Sequence, residues 1–227
     1  MQRLYVIENR SIKEVGNILN IAEQTVFQRL KRLDIPTSPN HKVGFLKKRH
    51  DIVIPQYYSK ELAEFFGIML GDGHISHFQV IVNLGSKEDM YVVYVVELIR
   101  KIFRVRPKVC IRKNNYKDVY LGSVDLTKWL LEQGLVNNKV LSQVDIPKWI
   151  FSDKEFIQRF IRGFFDTDGS IYKLRYGVQI SFTNFSRPLL RSLQKLLLEL
   201  KYKPSGISSN KIYITRINRN IRENVKY

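Results

Sequence analysis

The chain repeats one pattern, an apolar segment that ends in an acid followed by glycine. Residues 61–73, ELAEFFGIMLGDG, correspond to residues 157–169, IQRFIRGFFDTDG. Each segment has the apolar spacing of a helix and is followed by a run that alternates like a strand. A sequence that repeats one order of elements predicts two similar structural units. We therefore expect two related halves, each with an acid at the end of a helix.

The elements that follow the repeated segments also come in the same order. In the first copy we predict strands at residues 74–76, 78–84, 107–112 and 119–124. A helix is expected between the second and third strands, at residues 89–103, and a closing helix at residues 126–133. In the second copy we predict strands at residues 170–172, 178–182 and 211–215 and a helix at residues 188–200, with the closing helix short or missing. The expected fold class is α+β, with two pseudo-symmetric αββαββ halves at residues 59–155 and 156–227.

The two repeated helices carry the features needed for a shared acidic site. Small residues recur four positions apart on each helix, at Gly67, Gly71, Gly163 and Thr167. Because small residues let two helix backbones approach closely, the spacing predicts that Asp72 and Asp168 lie side by side. Two crowded carboxylates repel unless a cation joins them, and Mg²⁺ prefers such oxygen ligands. A single acid-glycine pair after a helix is usually only a turn, but matched pairs favour a metal site that can hydrolyse phosphodiesters.

The charge of the chain points to a polyanionic partner. There are 38 Lys and Arg against 21 Asp and Glu, which gives a formal net charge of +17. Nucleic acid is favoured over a membrane, because the sequence contains no long apolar span. The single cysteine, Cys110, excludes an intrachain disulfide, and the scattered histidines do not favour zinc. The N-terminus lacks the apolar core of a secretory signal, so we expect an intracellular protein.

Residues 1–38 predict a small all-α module. Two short helices are expected between residues 11 and 34, the first capped by Ser11 with Glu14, and the second burying Val26, Leu30 and Leu33. The segment resembles a helix-turn-helix DNA reader, although a helical hairpin that only packs on its neighbours gives the same pattern. The polar residues expected to contact DNA are Gln24, Thr25, Gln28, Arg29 and Arg32. Residues 39–58 form a basic linker, either solvated or lying across phosphates.

The repeated segments resemble a known family. FFGIMLGDG and IRGFFDTDG are similar to the two LAGLIDADG motifs of homing endonucleases, and the resemblance covers about residues 60–220. It implies a monomeric, intron-encoded nuclease that cuts both strands of an asymmetric DNA site with two or three Mg²⁺ ions. By the same resemblance, the metal ligands are Asp72, Asp168 and the carbonyls of Gly71 and Thr167. A basic residue after the closing helix of the first copy completes the catalytic set, and Lys139 matches it.

The family places its antiparallel sheets in the major groove as a saddle, with alternate strand residues facing the bases. For the first copy, the residues expected to contact DNA are Ser76, Gln79, Asn83, Arg112, Lys113, Asn114, Tyr116, Lys117 and Tyr120. For the second copy, they are Lys173, Arg175, Tyr176, Gln179, Ser181, Asn210, Lys211 and Tyr213.

Two other functions share this scaffold. One is an RNA-splicing maturase that binds its own intron RNA, and the sequence does not separate it from a nuclease. The other is a DNA-binding regulator without catalysis, which is disfavoured because both acids are present. An intein is also disfavoured, because the chain starts without a nucleophile and ends in Asn-Val-Lys-Tyr.

Overall fold

The computed structural model describes residues 1–8, 10–35, 37, 51–76, 78–85, 87–112, 116–175 and 177–217. The DNA contacts expected at Lys113, Asn114 and Tyr176, together with most of the expected linker, lie outside these residues. The chain divides into two compact units, Met1–Lys48 and Arg49–Tyr227. None of the described helices has the length and apolar character needed to cross a bilayer.

The small unit is helical, as predicted. A π-helical turn at Arg3–Ile7 precedes helices α1 (Ile12–Leu19) and α2 (Glu23–Arg32). The capping box at the start of α1 is present, since the Glu14 N–H donates to Ser11 Oγ at 3.1 Å and the Ser11 N–H donates to Glu14 Oε2 at 2.6 Å. Asn20 ends α1 in the left-handed conformation, with φ of 52°.

A four-residue core holds the small unit together: Tyr5, Val15, Val26 and Leu30. The prediction that Leu33 is buried was wrong. Leu33 is 55% exposed because α2 ends at Arg32 and the side chain lies beyond the apolar stripe. Of the α2 residues expected to contact DNA, Thr25 is half-buried and the others are exposed. Their contact with DNA stays a prediction.

The large unit contains the order helix, strand, strand, helix, strand twice, in an α+β arrangement, and the described residues of the second half include neither a fourth strand nor a closing helix. The first half consists of α3 (Lys60–Gly71), β1 (Gly73–Ile75), β2 (Gln79–Gly85), α4 (Asp89–Phe103), β3 (Lys108–Ile111), β4 (Tyr116–Gly122) and α5 (Val124–Glu132). A 3₁₀ turn at Lys148–Ser152 leads into the second half. That half consists of α6 (Lys154–Asp168), β5 (Gly169–Leu174), β6 (Gly177–Thr183), α7 (Arg187–Glu199) and β7 (Lys211–Ile217).

Each half builds its own antiparallel sheet. The strand orders are β1-β2-β4-β3 and β5-β6-β7. In β2, Val80, Val82 and Leu84 are buried, whereas Asn83 is exposed. Because side chains alternate along a strand, one face of the sheet packs against the helices and the other is accessible. We call the accessible face of each sheet its outer face.

Helices α3 and α6 meet backbone to backbone at the centre of the large unit. A Cβ atom at Gly67 would overlap the carbonyl oxygen of Phe160, and one at Gly163 would overlap that of Glu64. A Cβ atom at Gly71 would overlap the side chain of Thr167. The small residues therefore permit the close approach that their spacing predicted, and any side chain at these glycines would force the helices apart.

Residues 51–58, which the sequence analysis assigned to the linker, pack on the large unit. Ile52 and Ile54 contact its hydrophobic core, and the Val53 N–H donates to the Phe103 carbonyl at 3.0 Å. The Tyr58 ring stacks on Trp149 with centroids 4.3 Å apart. This segment is therefore an ordered part of the large unit.

Candidate functional site

The two acids lie at the ends of the paired helices. Asp72 caps the C-terminus of α3, and Asp168 is the last residue of α6. A Cβ atom at Gly71 would lie 3.5 Å from the carboxyl carbon of Asp168, so this carboxylate is next to the residue that precedes Asp72. The glycine contacts between the helices thus bring the two acids together from opposite halves of the unit.

The Asp168 carboxylate is electrostatically unfavourable in its ionised form. Burial, as the largest cause, and the negative charge of Asp72 together raise the pKa of Asp168 to about 6, against a hydrogen bond from Asn184 and the positive charge of Lys139. The Asn184 Nδ2 group donates to Asp168 Oδ2 at 2.7 Å. Burial likewise raises the pKa of Asp72, with Lys139 opposing the shift and Glu88 adding to it.

Lys139 reaches this acid pair from the segment that follows α5. Its ammonium donates to the carbonyl of Met69 at 3.3 Å and also to that of Gly71. Burial lowers the pKa of Lys139, whereas Asp168 and Asp72 raise it. The resemblance-based choice of Lys139 therefore selected a residue that lies beside both acids.

An open cleft of about 420 Å³ adjoins Asp168, lined by residues that include Gly71, Lys139, Thr167, Asp168 and Asn184. Among the described residues, no group of three or more His, Cys, Asp or Glu is placed to hold a metal. A cation here would therefore need backbone carbonyls beside the two carboxylates. Hard divalent cations accept such mixed oxygen ligands, and their charge would relieve the repulsion that raises the pKa of Asp168.

A buried ion cluster fixes how α3 and α6 slide against each other. Glu64 on α3 is 1% exposed and accepts a hydrogen bond from the Tyr94 hydroxyl. From α6, Arg159 Nη1 donates to Glu64 Oε2 at 3.1 Å, and Arg162 Nε lies 3.4 Å from Oε1. The cluster is close to Gly67 and Gly163, so it helps to set the register that places the acids at one level.

The outer face of the first sheet carries most of the residues of the first copy that were expected to contact DNA. Strand pairing places Gln79, Asn83, Tyr116 and Tyr120 on this face, with Ser76 next to Gln79 at the strand end. Lys117 does not belong there, which corrects the sequence-based assignment. It pairs with the buried Leu84 and forms an ion pair with Asp89 at the start of α4, because alternation turns it toward the helices.

In the second sheet, Gln179, Lys211 and Tyr213 share the outer face. Ser181 lies on the same face, but it is 1% exposed and therefore cannot be reached by DNA. Lys173 pairs with Val178 and points to the opposite face, although it is exposed. The remaining expected contacts, Arg175 in the turn after β5 and Asn210 before β7, lie at strand ends. Accordingly, Ser181 is withdrawn as a DNA contact.

Three residues of the site were missed by sequence reasoning. Asn184 follows β6, and its contact with Asp168 gives no local signal in the sequence. Asp118 is 3% exposed on the outer face of the first sheet, and its only signal was an acid between two tyrosines on alternate positions. Glu64 gave a clearer signal, because it is a charged residue on the apolar face of a repeated helix.

A family model matches the second half of the large unit. Residues 155–226, which include α6 and the second sheet, match the family model described as a LAGLIDADG-like domain.

Two curated relatives match longer parts of the chain. The replication factor C small subunit of Methanocaldococcus jannaschii is 26% identical over 196 residues, and the match covers 78% of this chain and 10% of that protein. A DNA polymerase of Thermococcus hydrothermalis is 29% identical over 169 residues, and the match covers 70% of this chain and 9% of that protein. The chain thus spans about a tenth of the length of these relatives.

Among solved structures, the chain is similar to I-DmoI in complex with DNA and Mn. The TM-score is 0.49 and the sequence identity is 14%, over 72% of this chain and 93% of that chain.

Proposed function

We propose that the chain, whose residues 155–226 match a LAGLIDADG-like domain, is a site-specific endonuclease that hydrolyses both strands of DNA with a divalent metal. The observation that carries the proposal is the acid pair, in which burial and the charge of Asp72 raise the pKa of Asp168 to about 6. Two buried carboxylates placed side by side do not stabilise the fold by themselves, whereas a cation site needs its carboxylate ligands close together. The formal charge of +17 and the polar outer faces of the sheets fit a DNA substrate.

The residues that would hold the metal are Asp72, Asp168 and the carbonyls of Gly71 and Thr167. When bound, Mg²⁺ supplies an activated water and stabilises charge on the phosphodiester oxygens. The protein itself orients one carboxylate through Asn184 and places a cationic ammonium, that of Lys139, where it can contact a phosphate oxygen. Because the two sheets differ in sequence, the bound site is expected to be asymmetric and to be recognised by one monomer.

A second candidate is a DNA-binding protein without nuclease activity. One observation favours it: the Lys139 ammonium already donates to the Gly71 carbonyl, which a metal would need. A carbonyl oxygen has two lone pairs, so a nuclease requires the Gly71 carbonyl to serve Lys139 and a metal together, whereas the second candidate does not.

Selection from a randomised double-stranded DNA library, run with Mg²⁺ and with Ca²⁺, tests the proposal. We expect the full chain to select a long asymmetric sequence with either ion and to cut it only with Mg²⁺. Asp72→Asn and Asp168→Asn should each lower the cleavage rate by about a hundredfold or more, because metal binding stabilises the transition state by several kcal/mol. DNA affinity in Ca²⁺ should change little.

Asp166→Asn is the matched control, because Asp166 lies on the same helix and carries the same charge but is not a proposed ligand. It should cut at nearly the rate of the unmodified chain. Selection of a sequence without cleavage under any divalent ion would overturn the nuclease and favour the second candidate. Cleavage by Asp168→Asn at the normal rate would place the active site elsewhere.

A further inference from the structure

The outer face of the first sheet has a buried carboxylate at its centre. Asp118 in β4 is 3% exposed, although Asn83, its direct partner in β2, is exposed. Directly paired residues share a face, so Asp118 belongs to the surface proposed to meet DNA. A carboxylate repels phosphate and lowers the affinity of such a surface. Its presence therefore requires a reason other than DNA affinity.

Both oxygens of this carboxylate are engaged by neighbouring side chains. Asn83 Nδ2 donates to Asp118 Oδ1 at 2.6 Å, and Arg112 Nε donates to Asp118 Oδ2 at 2.5 Å. The backbone of Arg112 is also fixed, since its N–H donates to the Tyr116 carbonyl at 2.8 Å and extends the β3–β4 ladder by one residue. We call these three residues, Asn83, Arg112 and Asp118, the outer-face triad.

Stability does not account for the triad. The Arg112 side chain is 60% exposed, and an ion pair with so exposed a partner contributes little to folding. Burial of the carboxylate, by contrast, costs free energy of folding, and a protein with an apolar residue at this position would usually be at least as stable. What the arrangement does achieve is to hold a long, otherwise mobile arginine in one orientation.

The contact through Nε determines which part of the arginine is presented. The guanidinium is a planar fork with five N–H donors. With Nε held by Asp118, the two terminal Nη groups form the exposed end of the fork, and the described residues supply no partner for them. Two such donors match the O6 and N7 acceptors that guanine displays in the major groove. Lysine keeps the charge but lacks this fork.

We propose that Asp118 clamps Arg112 so that its terminal guanidinium reads one guanine of the DNA target, with Asn83 holding the carboxylate in place. Asp118 is thus a positioning residue and Arg112 the specificity-determining residue. The inference rests on the proposed function, because it requires the outer face of this sheet to lie in the major groove.

Library selection in Ca²⁺ with the full chain tests this role. We expect the unmodified chain to require guanine at one position of its target. Arg112→Lys should lower the preference for guanine there by about tenfold or more, while preferences at other positions stay the same. Asp118→Asn should weaken the same preference, because a neutral amide holds Nε less firmly. Arg216→Lys is the matched control, since Arg216 is an exposed strand arginine that pairs with Val178 and faces away from the outer face.

The possible results separate this inference from the proposed function. If Arg112→Lys keeps the full base preference, or weakens binding equally at all sequences, Arg112 does not read a base and the inference is overturned. Because Arg112 is exposed, this variant is expected to fold, so the test does not depend on the stability of Asp118→Asn. If the unmodified chain selects no sequence, the proposed function fails first and the base-reading role fails with it.

Discussion

Asn184 donates a hydrogen bond of 2.7 Å to Asp168. The Asn184 amide is itself oriented, because its side-chain oxygen accepts the Ser186 N–H at 2.9 Å. Asn184 follows β6 and Asp168 ends α6, so the sheet and the helix of the second half together fix one carboxylate oxygen. Within the described part of the chain, the other oxygen of Asp168 has no hydrogen-bond donor and remains available to a cation.

Asp168→Asn should stabilise the metal-free protein at neutral pH. The folded-state pKa of Asp168, about 6, lies above its unfolded value. Ionisation of this group therefore lowers the free energy of unfolding as the pH rises from about 4 to 6. The penalty is fully present above pH 6 and amounts to about 1–3 kcal/mol. We expect the variant to melt about 2–8 °C higher at pH 7 in EDTA and to show no gain at pH 4.

Thermal unfolding at the two pH values checks this prediction, and Asp145→Asn serves as the control because Asp145 is exposed. Equal melting temperatures of the unmodified chain and Asp168→Asn at pH 7 would mean that burial does not penalise this carboxylate.

The Glu64 cluster should behave as a coupled unit. Replacing Arg159 and Arg162 together with methionine leaves Glu64 buried without a cation, and the free energy of unfolding should fall by about 3–5 kcal/mol. Adding Glu64→Leu to that variant should recover much of the loss, because the unpaired charge is removed. Denaturant unfolding of the single and combined variants gives the coupling energy. Additive effects would show that the arginines do not compensate Glu64.

Gly67→Ala and Gly163→Ala should each separate the two central helices. The added Cβ atoms would overlap carbonyl oxygens of the facing helix, so we expect a loss of about 3 kcal/mol or more in unfolding free energy. Cleavage should fall as well, since the acids would move apart. Gly206→Ala is the control, because no atom of the described residues other than its chain neighbours lies within 4 Å of its Cβ position. Normal stability of both helix variants would contradict the close backbone contact.

The two faces of the first sheet can be distinguished by a pair of lysines. Lys108 pairs with Tyr120 on the outer face, whereas Lys117 pairs with Leu84 and binds Asp89. If DNA lies on the outer face, Lys108→Gln should reduce the slope of log affinity against log salt by about one, and Lys117→Gln should leave it nearly unchanged. Binding measured at several salt concentrations gives both slopes, and a larger effect at Lys117 would place DNA on the other face.

The sequence predicted the helices and their acids well because these depend on local patterns. The fifteen residues of α4 were predicted with their exact bounds, Asp89–Phe103. The side-chain faces of β4 were harder, since the strand begins at Tyr116 rather than at Val119. Residues 116–118 lay before the predicted strand, so its alternation was not extended to them, which is why Lys117 was assigned to DNA and Asp118 was overlooked. Contacts such as Asn184 with Asp168 join distant segments, and no local pattern predicts them.

The backbone contact between α3 and α6 also limits which substitutions such a protein can accept during evolution. If the proposed DNA recognition is correct, a residue on either sheet can be replaced singly, so that the recognised sequence changes one base pair at a time. Between α3 and α6, the close packing requires a glycine on one helix to face the exposed backbone of the other. The buried Glu64 likewise requires Arg159 and Arg162 on the facing helix. Hybrids that join halves of different relatives should therefore succeed when the two central helices are inherited together.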